Sequence, residues 1–161
     1  MLASILGAQG TVQERDHQIE RSGMYGEYPA IVRAYQELLS DAECASEALK
    51  RAVFLVWRGA VELPVSTGIA PLPDGTVREV VDALNVRVRR GQGDDEQRWM
   101  LAWYHAQSPD LLDLYGGTPT VMEFAQSCDA DAWKHAKTSP GQMAMRGQMG
   151  QYWTTLSNGA R

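Results

Sequence analysis

Residues 45–60 read ASEALKRAVFLVWRGA, from Ala45 to Ala60. Wound into a helix, Leu49, Val53, Phe54, Leu55, Val56 and Trp57 leave almost no polar face. A helix that is apolar nearly all round needs neighbours on several sides. The expected fold is therefore all-α, an irregular multi-helix bundle of about six to eight helices around this central one.

Helix starts on either side are marked by capping chemistry. Ser40-Asp41-Ala42-Glu43 has the form of a capping box, in which the Ser40 hydroxyl serves the amide of Glu43 and the Glu43 carboxylate reaches back. Thr11-Val12-Gln13-Glu14 has the same form, and Ser139-Pro140-Gly141-Gln142 has it with glutamine. Ser108-Pro109, Thr118-Pro119 and Ser139-Pro140 place proline at a first helical position, where its missing N–H costs nothing. The same logic starts a helix at Pro29. These signals predict helices near 12–22, 29–39, 41–60, 76–90, 95–107, 109–115, 119–137 and 140–156, with a break near Ser127-Cys128-Asp129, where Asp129 caps a fresh start. In 76–90, Val77, Val80, Val81, Leu84 and Val88 share one helical face; alternation of the strand type fails at Val80-Val81. One long proline-rich connection, Glu62 to Gly75, has Pro64, Pro71 and Pro73 around Ser66-Thr67-Gly68. It is either a binding loop or a cover held by Leu63, Val65, Ile69 and Leu72.

Size and composition suit one domain over residues 1–161, with residues 1–10 expected to be flexible. The hydrophobic share of 44%, charged share of 22% and net charge of -5 are those of an ordinary globular chain. The negative balance disfavours non-specific attraction to nucleic acid or anionic lipid, so neither nucleic acid nor membrane is expected as a partner. The apolar start, Met1 to Ala8, has no basic leader, and Ala52 to Trp57 is far too short to span a bilayer. A cytoplasmic location is the expectation. Cys44 and Cys128 are read as two reduced core thiols. No repeat of solenoid length is present.

Arg87, Arg89 and Arg90 read as a phosphate-binding patch or as the cationic last turn of a helix. Gly91 as end cap, and Asp94, Asp95 and Glu96 opening the next helix, favour the second. Trp99 and Trp103 are four apart, on one face, and with Met100 and Tyr104 read as core. His105, with Asp110 or Asp113 to orient it, is the candidate general base of an enzyme. His135, four residues after Asp131, is a possible half-site for a metal and equally a surface pair. Glu14-Arg15-Asp16-His17 is half of a bundle di-iron motif without its second half. No nucleophile elbow, phosphate loop or dinucleotide fingerprint occurs, and no cofactor is expected. The C-terminal Met143, Met145, Met149, Tyr152 and Trp153 form an adaptable apolar segment, with Met145, Met149, Tyr152 and Trp153 as anchors for a protein partner or a second copy of the chain. Two functions follow as expectations. The leading one is a small helical protein acting through protein–protein interaction, with a dimer as one form. The alternative is an enzyme or metal-binding bundle using His105 with Asp110 or Asp113, or His135 with Asp131.

Overall fold

The computed structural model describes residues 17, 20–136, 142–143 and 145–159. Among them it holds eight α-helices and no strand. In chain order these are α1 (Met24–Glu37), α2 (Ala45–Val61), α3 (Pro64–Thr67), α4 (Asp74–Arg89), α5 (Asp95–Gln107), α6 (Asp110–Leu114), α7 (Pro119–Gln126) and α8 (Gly147–Gly159). Turns of 3-10 helix follow α1 at Leu38–Ser40 and α7 at Ala132–His135. No described helix is long and apolar enough to cross a membrane.

The central position of α2 follows from its composition. Leu49, Phe54, Leu55, Val56 and Trp57 are all buried, and α1, α3, α4, α5 and α8 pack around the helix. On α4 the buried set is Val77, Val80, Val81, Leu84 and Val88, the face that the valine spacing predicts, and the segment is helical throughout. Trp99, Met100 and Tyr104 of α5 are core residues as expected. Trp103, half-buried, donates its indole N–H to the Tyr152 hydroxyl at 2.7 Å. In the 62–75 connection α3 ends at Gly68, whose φ of 74° is left-handed, and Ile69 is fully buried beside Gly59, while Leu63 stands 68% exposed.

Several expected starts are displaced, each for a physical reason. Ser40 makes no capping box; its hydroxyl donates to the Glu37 carbonyl and closes the 3-10 turn that extends α1. The Asp41 side chain takes the amides of Glu43 and Cys44 instead, at 2.8 and 3.3 Å, so α2 begins at Ala45. Pro29 lies inside α1, because Gly23 in left-handed geometry starts the helix a turn and a half earlier than proline would. The 119–137 segment breaks where expected: the helix stops at Gln126, and Asp129 accepts from the Asp131 amide at 2.8 Å before a fresh start that is a 3-10 turn. Cys44 is exposed and Cys128 half-buried, so neither is a core thiol; Cys44 sits in the open turn that Asp41 organises. The boxes at Thr11 and Ser139, most of the 12–22 helix, the first ten residues and the start of the 140–156 helix lie outside the described residues.

The C-terminal helix is clamped by charge. Arg146 reaches Glu96 of α5, with contacts at 2.5 and 2.8 Å, and Glu47 of α2, at 2.8 Å from Nε and through a shorter contact from Nη2. Lys50, only 7% exposed, bridges Asp94 at 2.8 Å and Glu96 at 2.6 Å. Asp94 also caps α5 through the Gln97 amide and accepts from the Ser46 hydroxyl, both at 2.8 Å. Burial opposes ionisation of these carboxyls. It is outweighed by Arg146 and Arg51 at Glu47, by Lys50, the Gln97 amide and Ser46 at Asp94, and by Arg146 and Lys50 at Glu96. All three carboxyls therefore titrate below their usual range. Beside this clamp the chain passes so close to α8 that a Cβ on Gly150 would lie 1.7 Å from the Met143 carbonyl oxygen.

A carboxyl whose folded pKa is lowered stabilises the fold above its unfolded pKa and ceases to do so as pH falls through the folded one. With ordinary values of 3.8 for Asp94 and 4.5 for Glu96, the melting temperature is expected to hold from neutrality to about pH 5 and to drop below about pH 4. Arg146→Met takes one of two cations from Glu47 and from Glu96, which keep Arg51 and Lys50, and is expected to cost about 2 kcal/mol in urea unfolding at neutral pH. It also flattens the acid drop. A variant as stable as the wild type would show that the clamp contributes nothing net.

Candidate functional site: an apolar crevice at His105

Among the helices that close around α2 there is a gap in the packing. Val53, Val56 and Trp57 of α2 face Val80, Val81 and Leu84 of α4 across a narrow crevice. Leu101, Tyr104 and His105 of α5 and Leu111 and Leu112 of α6 complete its walls, with Ser108 at the connection between these two helices. The interior room is about 20 Å³, enough for about one water molecule. Short β-branched valines on α4 opposite the rigid Trp57–Tyr104 stack, with ring centroids 4.5 Å apart, account for incomplete filling.

The polar atoms of the walls are few. Nε2 of His105 is 3.0 Å from the side-chain amide nitrogen of Gln126 in α7. Nδ1 of the same ring is buried without a partner, as is the indole nitrogen of Trp57. The Tyr104 hydroxyl is buried near Trp153, and that burial raises its pKa well above the ordinary phenol value. The wall at α6 is held from behind by Asn85, which is buried. Its amide donates to the Gly116 carbonyl at 2.9 Å, and its oxygen accepts from the Thr118 amide at 2.9 Å and hydroxyl at 3.1 Å.

The expected sites stand differently. Asp110 and Asp113 are exposed on α6 and neither pairs with His105, whose partner comes from α7 instead. The reason is geometric: the turn at Ser108-Pro109 sends α6 off in a new direction, with both aspartates on its outer side. Asp131 pairs with Lys134 at 2.8 Å and not with His135. His17 meets Glu20 at 3.6 Å on an exposed surface, while Glu14 and Asp16 lie outside the described residues. Among the described residues no three His, Cys, Asp or Glu side chains gather as a metal site. Of the four expected partner anchors, Met149 and Trp153 are buried in the chain's own core, at 1% and 2% exposure. Tyr152 is half-buried against Phe54, Trp57 and the Arg58 guanidinium. Only Met145 stands out, 81% exposed. α8 docks on α2, and its aromatic side chains are consumed there and against Trp99.

Sequence reasoning passes over Gln126 and Asn85, and reads Ser108 as a helix start alone. Gln126 lies 21 positions from His105, and Asn85 lies 31 from Gly116, so local spacing carries no sign of either contact. Asn85 alone had a legible signal, a polar residue next to Leu84 on the inward side of a valine-faced helix.

Asn85→Ala is expected to cost about 1–3 kcal/mol, because it strands the Gly116 carbonyl and the Thr118 amide. Native-state hydrogen exchange should then speed up in 110–114 well before it does in α2. Equal acceleration in both would mean that Asn85 does not hold the α6 wall.

No protein-family model matches this chain, and comparison with curated proteins and with solved structures finds no match to it.

Proposed function

We propose that this chain works by binding, and that it takes a small, largely apolar molecule into the crevice at His105. The observation that carries this reading is the convergence of four helices on a gap with apolar walls, beside polar groups whose bonding capacity is unspent. The acid–base alternative has lost the aspartate that would orient His105, and binding without chemistry needs no such group. A ligand larger than water requires the single-turn helix α6 to yield. It is short, and it touches α5 more than any other element.

Xenon tests the crevice without assuming any polar contact, since it enters apolar cavities. Under xenon pressure, methyl resonances of Val80, Val81, Leu84 and Leu111 are expected to shift together. Val81→Phe, which fills the gap, is expected to abolish the shifts. Shifts confined to other parts of the core would overturn the reading.

A second reading, contact with another protein chain, is favoured by Met145, which stands exposed where its carbonyl meets Arg51. Leu63 and Leu114 are also largely exposed. If the partner is a second copy, sedimentation equilibrium shows mass rising with concentration, and Met145→Glu removes the rise. A constant monomer mass eliminates self-association.

A further inference from the structure

The contact with Gln126 bears on which ring nitrogen of His105 carries the proton. The amide nitrogen of Gln126 has hydrogens to give and no lone pair to offer, so at 3.0 Å it donates and Nε2 of His105 accepts. In the neutral ring the proton then sits on Nδ1. That nitrogen is buried and has no acceptor, on a residue that forms the crevice wall. Trp57, another wall residue, also has its indole N–H buried without an acceptor. Both stranded atoms are therefore donors. A buried donor left unpaired costs free energy that a bound acceptor recovers. No lysine or arginine lines the crevice, so an anion entering it would be stripped of water with no cation to meet it.

From these facts we infer that the ligand is a slim aliphatic molecule carrying an uncharged hydrogen-bond acceptor, a ketone, aldehyde, ester or ether oxygen, which receives the proton on Nδ1 of His105. Slimness follows from the narrow room between α2 and α4. The inference rests on the crevice reading above and adds to it the chemical class of the occupant.

Three probes of similar size separate the contributions: 2-pentanone, its alkene isostere 2-methyl-1-pentene, and pentanoate. Each is titrated into the full chain at one mildly alkaline pH. Binding is read from crevice methyl shifts, and the His105 tautomer from its ring ¹⁵N resonances. The ketone is expected to bind about tenfold more tightly than either other probe. The free protein should show the Nδ1–H tautomer, and the ketone should shift the Nδ1 resonance. Gln126 is exposed, so Gln126→Glu keeps the fold. Its carboxylate accepts from the ring, moves the proton to Nε2, and is expected to remove the ketone's advantage over the alkene. An Nε2–H tautomer in the wild type, or an alkene or pentanoate that binds as well as the ketone, overturns the ligand class while leaving the crevice intact. Entry of xenon without the ketone does the same. Failure of xenon and all three probes overturns the crevice reading itself.

Discussion

Everything in this structure is arranged by the need to keep water off α2. A helix whose last three turns carry Val53, Phe54, Leu55, Val56 and Trp57 in succession cannot be satisfied by one neighbour. Five helices therefore crowd it, and the charged residues of α2 must live with that crowding. Lys50 has nowhere to extend except into the first turn of α5, where Asp94 and Glu96 wait at the positive end of that helix. Glu96, together with Glu47, then captures Arg146. The ion network is thus a consequence of apolar packing, formed where burial would otherwise have stranded a lysine.

The crevice arises from the same constraint at its other side. Valines on α4 are short and stiff, and the rings of Trp57 and Tyr104 are flat, so the two surfaces meet without interlocking. Filling the gap would need a longer side chain on α4. The chain instead covers it with Leu111 and Leu112 from α6, a single turn of helix tied back by Asn85.

How much of this the sequence discloses depends on whether the information is local. Helix α5 is legible to the residue, because Asp94 caps it from three positions before Gln97. The inward face of α4 is legible because periodicity is local as well. The start of α2 is not, since Ser40 and Asp41 compete for the same amides and only the conformation of the preceding turn decides between them. The fate of the C-terminal segment is also hidden. Met149, Tyr152 and Trp153 have the composition of an interface, and a core seam has that composition too. What settles their burial is Gly150, whose missing side chain lets Met143 approach α8, together with a clamp made to residues 50 and 99 positions away. Of the candidate site, His105 is visible as a lone histidine near a helix end, while Gln126, its hydrogen-bond partner, is not.

The two polar clusters differ in what they leave over. At the Arg146 clamp each carboxylate already has at least two charged or hydrogen-bonding partners, and the cations are shared among them. A ligand arriving there must break bonds as strong as those it makes. At His105 the balance is reversed. The ring spends one nitrogen on Gln126 and keeps the other, buried, for an acceptor the described residues do not supply. Binding energy comes from unspent capacity in a dry place, because there a new hydrogen bond replaces nothing. By that criterion the weaker-looking cluster, built around one histidine, is the better candidate site, and the heavily charged one is mortar.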